Sequence, residues 1–133
     1  MAENIQLEVV TPERLVVDDR ADYIEIPAIT GYIGVLPGHA PLITELAVGE
    51  ISYKTGPETK RLAVAWGFAE VLGHKVTILA ETAERAEEID VSRAQAAKER
   101  AEEALRSAGT TGDAEAQAAL QRAQARLDVA GKK

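Results

Sequence analysis

The spacing of apolar residues changes near residue 89, and this change constrains the fold more than any other feature. Before it, apolar and polar residues alternate, as in "IQLEVV", where Ile5, Leu7 and Val9 share one face. That period of two is typical of strands with one buried face. After it, small apolar residues recur at steps of three and four, which is typical of packed helices; they are Ala94, Ala97, Ala101, Ala104 and Ala108.

The strand-rich part is divided by glycine and proline. "YIEIP" alternates like the first strand, a Gly-Pro pair marks a turn, and "EVLGHKVTIL" is typical of a tight hairpin. Many short strands separated by turn residues favour a β-sandwich or a β-barrel. We assign this domain to residues 1–85 and a helical domain to residues 86–133.

The helical part divides into two helices. The glycine-containing stretch "GTTGD" interrupts the apolar seam, and Asp90 and Asp113 stand where helix N-caps are expected. The pattern predicts an antiparallel hairpin. Its second seam resumes at Ala116, Leu120, Ala123, Leu127 and Ala130.

The seam of this hairpin is mostly alanine. Burying a methyl-sized group contributes only ~0.8 kcal/mol, against roughly 1.5–3 kcal/mol for a leucine-sized side chain. The hairpin is therefore predicted to be marginal and a candidate moving part. The alternative is a small hairpin that stays closed permanently.

Composition excludes several classes of protein. The chain contains no cysteine and only two histidines, so disulfides and thiolate metal sites are excluded and a histidine-based metal site is not expected. The net charge of -7 argues against nucleic acid as a partner. No apolar run approaches the ~20 residues that span a bilayer, and the first residues do not resemble a secretory signal.

Two arginines on the second predicted helix lack an acidic residue at helical spacing. The residues three and four positions from Arg122 and Arg126 carry no acid. On the heptad, Arg93 is expected near Arg126, and Arg100 near Arg122. Arginine forks suit phosphate, so one hypothesis is a polyphosphate site on this edge. The alternatives are a solvated basic face and a face that binds an acidic protein surface.

Catalysis is not expected. Neither the G-x-x-x-x-G-K-[ST] loop nor the G-x-G-x-x-G loop of nucleotide-binding folds is present. His39 lies in the turn-rich segment "GYIGVLPGHAPL" without an evident nucleophile or base beside it. We therefore expect residues 31–42 to form a protein interface, and the chain not to be an enzyme.

The segments "GYIGVLPGHAPLITEL", "WGFAEVLGHKVTILAETAERAEEID" and "RAQAAKERAEEAL" together resemble the epsilon subunit of bacterial F-type ATP synthases. The resemblance covers nearly the whole chain. It implies a ten-stranded β-sandwich of two five-stranded sheets, followed by an antiparallel two-helix hairpin.

The resemblance also implies a function. It implies a non-catalytic subunit of the central stalk, peripheral to the cytoplasmic face of the cell membrane, in a synthase that translocates protons or sodium ions. Its expected partners are the gamma subunit, the c-ring and the beta subunits of the catalytic head. The subunit is expected to couple rotation and to restrain ATP hydrolysis through its hairpin.

In some bacterial members of this family ATP binds the folded hairpin at an I/L-D-x-x-R-A motif, which Ile89, Asp90, Arg93 and Ala94 match. The resemblance implies ATP as a regulatory ligand that favours the folded hairpin, and the sequence requires no metal. The other residues at matching places are Glu84, Arg100, Arg122 and Arg126.

Two positions depart from the family pattern. Tyr32 stands where many relatives carry an acid, and Trp66 stands where they usually carry a small residue. We expect Tyr32, Leu36, His39 and Trp66 to belong to the partner interface, with Trp66 either filling the sheet or facing gamma. Two other hypotheses stay open: a purely structural coupling subunit without a nucleotide site, and a stand-alone nucleotide-binding module.

Overall fold

The computed structural model of the chain describes residues 3–109 and 112–132. Within these ranges, seven strands precede two helices. A 3-10 turn (Ala86–Glu88) leads into helix α1 (Val91–Ala108), which is followed by helix α2 (Ala114–Ala130). The strands are β1 (Ile5–Val10), β2 (Leu15–Ala21), β3 (Tyr23–Ala28), β4 (Gly31–Val35), β5 (Leu42–Thr55), β6 (Glu58–Val71) and β7 (Lys75–Arg85).

The strands are joined in the order β2-β1-β7-β6-β5-β3-β4. β1 and β7 pair in parallel, and the other neighbours pair antiparallel. The alternating residues of the sequence fill the core, where Ile5, Leu7 and Ile51 are fully buried. The predicted fold class, a β-sandwich followed by a two-helix hairpin, is confirmed.

The predicted number of strands is wrong, because three strands are long enough to serve both layers. β5 and β6 have 14 residues each and β7 has 11. Along β6 the core side chains are Leu62 and Val64, then Ala69 and Val71. The inward face thus passes from even to odd positions, which requires a bend within the strand. Counting each long strand once in each layer would give the ten expected.

Trp66 and Gly67 form the bend in β6. The pairing ladders skip Trp66 and the residues opposite it, Ala47 and Glu81. Trp66 has a φ of 52° and Gly67 a φ of 123°. A Cβ atom at position 67 would lie 1.9 Å from the carbonyl oxygen of Leu79. Glycine is therefore required at 67, whereas a tryptophan in the left-handed region costs on the order of 1–3 kcal/mol.

The two helices begin as their sequence predicts. The Asp90 carboxylate accepts a hydrogen bond from the backbone N–H of Arg93 at 3.0 Å, and Asp113 caps α2 through Ala116 at the same distance. The short connection makes the helices antiparallel neighbours. None of the helices in residues 3–109 and 112–132 has the length and apolar character needed to cross a bilayer.

Helix α2 is the helix that packs on the sheet, against β5 and β6. The apolar part of this contact is small and contains three alanines among its five buried residues, with Ala125 packed beside them. Because an alanine buries one methyl group, this contact contributes little per residue. The buried residues are Ala63, Ala86, Ile89, Val129 and Ala130.

Candidate functional site

Arg126 of α2 forms an ion pair with Glu84 of β7. Its Nε atom donates to Glu84 Oε1 at 2.5 Å, and the two side chains are 28% and 33% exposed. Glu84 lies beside the outward-facing part of the sheet that α2 covers, so the helix brings the guanidinium to it. This pair joins the hairpin to the sandwich across 42 residues of sequence.

Arg122, one turn earlier on α2, has two neighbours. Its guanidinium carbon lies 5.3 Å from the centroid of the Trp66 ring, which is a cation–π distance. Its Nη2 atom lies 3.5 Å from an oxygen of Glu115, seven residues earlier on the same helix. The Glu115 side chain is 85% exposed, so this second contact is weak.

These contacts correct the expectation that Arg122 and Arg126 have no acidic neighbour. The helical spacing was read correctly, but it cannot reveal partners from a sheet or from two turns away. Glu84, Arg122 and Arg126 line one narrow cleft of about 10 Å³ between α2 and β6–β7. A nucleotide does not fit in this cleft, so it would have to displace these side chains or lie outside them.

Arg93 and Arg100 lie on α1 and are both exposed. In the described part of the chain their guanidinium groups form neither a hydrogen bond nor an ion pair. An anion bound to these two side chains stays a prediction. Their expected positions opposite Arg126 and Arg122 stay a prediction.

The four residues of the I-D-x-x-R-A motif fall into two pairs. Ile89 and Ala94 are buried, at 5% and 3% exposure, whereas Asp90 and Arg93 are exposed. Ile89 packs with Val129 in the contact between hairpin and sheet. The apolar pair can thus act by fixing the start of α1, and the polar pair is open to a ligand. The carboxylate of Asp90 keeps one oxygen outside the cap hydrogen bond.

An ion pair that the sequence did not suggest fixes the entrance to the hairpin. Two nitrogens of Arg14 donate to the two carboxylate oxygens of Glu88 at 3.0 and 3.1 Å, and the backbone N–H of Arg85 also donates to Glu88. The Arg14 hydrogen bonds hold the pKa of Glu88 at about 2, well below its usual range, although partial burial opposes this. No local pattern could reveal a pair 74 residues apart.

Glu50 on β5 anchors the other end of α2. Its carboxylate lies 2.8 Å from Arg61 and 3.2 Å from Lys132, just beyond the helix. The contact with Lys132 has the distance of an ion pair but lacks the alignment of a hydrogen bond. The hydroxyl oxygen of Tyr32 accepts a hydrogen bond from the backbone N–H of Glu50 at 3.1 Å. Tyr32 and the end of the hairpin thus meet at one residue.

A polar cluster closes the sandwich on the side of β2. The hydroxyl of Tyr53 and the ammonium of Lys60 both donate to Asp19 Oδ2, at 3.1 and 2.9 Å. Burial and the Asp19 charge raise the pKa of Tyr53. Burial would also raise the pKa of Asp19, but the hydrogen bonds from Lys60, Arg20 and Tyr53 outweigh it and lower that pKa. Every charged group here has a partner, so the cluster is structural.

An open groove of about 1070 Å³ runs between the hairpin and the sheet. Its floor includes Trp66 and Leu46, and its walls include Glu50, Lys98 and Glu102. One face of the Trp66 ring is occupied by Arg122 of the same chain. Trp66 therefore contacts the chain's own hairpin. The sequence had suggested that it either fills the sheet or faces gamma.

Exposed apolar side chains surround the loop that the sequence assigned to an interface. Tyr32 is 59% exposed and Leu36 60%. His39 is partly exposed, and its Nδ1 atom lies 2.6 Å from the carbonyl oxygen of Ala40, so it belongs to a turn. The neighbouring exposed apolar residues are Ile29, Leu42 and Ile43. This arrangement fits a contact surface rather than an active site.

A second apolar row crosses four strands and was missed by the sequence analysis. Leu15 of β2 lies opposite Val10, Val10 beside Leu79, and Leu79 opposite Phe68. Leu15, Leu79 and Phe68 are each more than half exposed. The row results from strand register, which joins residues far apart in sequence and could not be read from local alternation.

Residues 3–109 and 112–132 contain no group of three or more His, Cys, Asp or Glu side chains that could hold a metal ion. The polar groups that converge between sheet and hairpin are instead cations and their carboxylate partners. Such an arrangement can bind an anion or hold the hairpin in place.

Several bacterial proteins are similar to this chain, and all three named here are ATP synthase epsilon chains. That of Koribacter versatilis is 64% identical over 109 residues, covering 82% of this chain and 77% of that protein. That of Nitratidesulfovibrio vulgaris is 49% identical over 132 residues, covering 98% of both. That of Solibacter usitatus is 49% identical over 134 residues, covering all of both.

Two solved structures share the fold of this chain. A chain in the cryo-EM structure of the Euglena gracilis mitochondrial ATP synthase (OSCP/F1/c-ring) matches with a TM-score of 0.80 and 25% identity, covering 96% of this chain and 81% of that one. A chain in the Tetrahymena thermophila mitochondrial ATP synthase central stalk and c-ring shares the fold, with a TM-score of 0.52 and 10% identity over 63% of this chain and 68% of that one.

Two family profiles divide the chain between them. The β-sandwich domain of the ATP synthase delta/epsilon chain matches residues 4–86. The long α-helix domain of the same chain matches residues 87–131. Together with the sandwich, the hairpin and the bacterial relatives, these matches show that the chain belongs to the ATP synthase delta/epsilon family, as a non-catalytic epsilon subunit.

Proposed function

We propose that this subunit works in the central stalk of an F-type ATP synthase that translocates protons or sodium ions. There it couples rotation to the catalytic head and restrains ATP hydrolysis when its hairpin leaves the sheet. ATP binding to the folded hairpin favours the docked form. The observation that carries this proposal is the contact between α2 and the sheet, which is small, rich in alanine and completed by exchangeable ion pairs.

The exposed apolar surfaces support a stalk position. The residues around Tyr32 and Leu36 and the row ending at Phe68 leave large apolar side chains in water. Surfaces of this kind mark protein interfaces. Our proposal assigns them to the gamma subunit and the c-ring, with the chain as a peripheral protein at the cytoplasmic face of the membrane.

The length of α1 bears on how far an extended hairpin reaches. Helix α1 has 18 residues, and at ~1.5 Å per residue it extends for roughly 27 Å. The sheet contact of α2 combines few apolar side chains with pairs that water can replace. Release of the hairpin therefore costs little, and an extended hairpin could contact beta subunits.

The nucleotide part of the proposal depends on the arginines. Arg93 and Arg100 are free for an anion in the described part of the chain, and Asp90 is exposed beside them. Arg122 and Arg126 are held by contacts that a polyphosphate could replace. Since these residues lie on both helices, the site requires a folded hairpin, so ATP favours that form through its differential affinity.

Thermal unfolding of the whole chain with and without ATP tests the nucleotide site. At a hundred times the dissociation constant, ATP should stabilise the chain by about 2.7 kcal/mol. Arg93→Ala and Arg126→Ala should lose most of this gain. Arg106→Ala is the matched control, because Arg106 pairs with Glu103 within α1. The ATP site is contradicted if the intact chain gains no stability at millimolar ATP. It is also contradicted if both site variants gain as much stability as the intact chain.

A reconstitution experiment tests the restraint of hydrolysis separately. The catalytic head with gamma is assayed for ATP hydrolysis with the whole chain or with residues 1–85. Hydrolysis should be faster with the shorter chain, most clearly at low ATP, where the hairpin is released. Equal rates at low ATP would remove the regulatory role while leaving the coupling role intact.

The alternative is a purely structural coupling subunit with no nucleotide site. It is favoured by one observation: Arg122 and Arg126 already have partners within the chain. In that case the cations of α2 serve only to fix the hairpin, and the thermal unfolding curves are the same with and without ATP.

A further inference from the structure

We propose that Trp66 is a docking platform on the sheet that holds the hairpin through Arg122 when no nucleotide is bound. The ring lies at the bend of β6, and the Arg122 guanidinium lies 5.3 Å from its centroid. The inference deepens the proposed function, because it rests on a hairpin that can leave the sheet. It does not require that the hairpin binds ATP.

The small size of the apolar contact makes a single polar contact matter. The buried residues between the hairpin and the sheet are three alanines, one isoleucine and one valine. Arg122 has Glu115 as a competing neighbour, but that side chain is 85% exposed and 3.5 Å away. The aromatic face is therefore the partner that gives Arg122 a defined position over the sheet.

The backbone at Trp66 supports a role for its side chain. Its φ of 52° lies in the left-handed region, where glycine or asparagine costs less than a bulky residue. Strained positions of this kind occur where the surrounding contacts hold them. Here the ring contacts Arg122. The residue with the strained backbone is therefore also the residue that contacts the hairpin.

The same geometry places docking and nucleotide binding in competition for one side chain. A polyphosphate that attracts Arg122 removes the guanidinium from the Trp66 face. The ligand must then replace this contact as well as form its own. Trp66 would thus set how firmly the hairpin lies on the sheet before any nucleotide arrives.

Hydrogen exchange of the whole chain without nucleotide tests the inference. Trp66→Asn suits the left-handed backbone and removes the ring, and Arg122→Gln removes the charge. Each should speed exchange of the α2 amides by roughly two- to thirty-fold, the range of a cation–π contact. The double variant should exchange little faster than either single one. Arg106→Gln, which alters an arginine paired within α1, should leave α2 unchanged.

Three results would overturn the inference. The first is unchanged α2 protection in Trp66→Asn. The second is an equal loss of protection in β5–β7, because Trp66 would then only support the sheet. The third is full additivity of the two changes, because additive effects mean that the two side chains do not interact.

Fluorescence provides a second readout, since Trp66 is the single tryptophan of the chain. Acrylamide should quench its emission more strongly in Arg122→Gln than in the wild type, and equal quenching contradicts the proposal. ATP is then added to the wild type in the exchange experiment. A lack of protection by ATP refutes the nucleotide site but leaves the Trp66 result standing, so the two proposals fail separately.

Discussion

Arg14, in the turn between β1 and β2, holds Glu88, in the 3-10 turn before α1, by two hydrogen bonds of 3.0 and 3.1 Å. The pair joins one end of the sandwich to the point where the chain leaves it for the hairpin. Glu88 also accepts from the backbone N–H of Arg85. The pair thus ties the start of α1 to the sandwich, in addition to the buried side chains of Ile89 and Ala94.

This pair predicts a dependence of stability on pH. The folded-state pKa of Glu88 is about 2, and its ordinary value is 4.5. A lowered folded pKa stabilises the native state fully above the ordinary value, and this stabilisation is lost as the pH falls from about 4.5 to about 2. Glu88→Gln should therefore be less stable than the wild type at pH 7 and should show a shallower loss of stability in acid.

Urea unfolding between pH 7 and pH 2 measures this difference. Glu87→Gln is the control, because Glu87 is a neighbouring carboxylate with a weak contact. Its side chain is 67% exposed and lies 3.8 Å from Arg85. The wild type and Glu88→Gln should differ at pH 7 and converge at pH 2. Parallel curves over the whole range would show that Glu88 is not held as the structure describes.

Gly67 should be the least replaceable glycine in the sheet. A Cβ atom there would meet the carbonyl oxygen of Leu79 at 1.9 Å, whereas one at Gly56 would meet nothing within 4 Å. Both glycines have positive φ, so Gly56→Ala costs only the backbone strain, roughly 1–2 kcal/mol. Gly67→Ala should cost on the order of 3–5 kcal/mol. Equal losses in urea unfolding would mean that the bend in β6 relaxes freely.

Local periodicity was enough to predict the two parts of the chain, the caps and the alanine seam. Asp90 and Asp113 both cap helices, because a cap depends on residues three positions apart. The bend at Trp66 and Gly67 could not be predicted in this way. Apolar residues alternate on both sides of the bend, but the buried positions change from even to odd numbers. Only the pairing of β6 with β5 and β7 reveals that this one strand serves two layers.

The candidate site was predictable in composition but not in contacts. Helical spacing identified Arg122 and Arg126 as lacking acids three or four positions away. Their partners come from β7 and β6, at sequence separations that helical spacing does not cover. The docked hairpin is therefore held by residues that only the fold brings together, which is why the sequence suggested free arginines.

Residues 1–85 should fold without the hairpin. The main apolar core is built from side chains between Ile5 and Ala83, so none of the core residues named for it belongs to a helix. Removing the hairpin exposes Ala63 and Glu84, which both lie on the outer face of the sheet. The truncated chain should show one cooperative thermal transition, by circular dichroism, with a lowered midpoint. A chain without a transition would show that the helices complete the sandwich.

Glu84 should control how readily Arg126 accepts a phosphate. In the docked hairpin Arg126 Nε donates to Glu84 Oε1 at 2.5 Å. A ligand phosphate that binds Arg126 must displace the Glu84 carboxylate. Glu84→Gln removes the competing charge but keeps the size of the side chain. ATP affinity should therefore rise by roughly two- to five-fold, the equivalent of a partly exposed ion pair. Glu81→Gln is the control, since it removes an exposed acid from the same strand.

The same change should weaken docking when ATP is absent, because Arg126 then loses its partner on the sheet. Calorimetry with ATP and hydrogen exchange of α2 without it give the two readouts on one protein. Tighter ATP binding together with faster exchange is the expected result. If Glu84→Gln instead binds ATP more weakly than Glu81→Gln does, the carboxylate contacts the nucleotide directly, and Arg126 is not held in reserve by it.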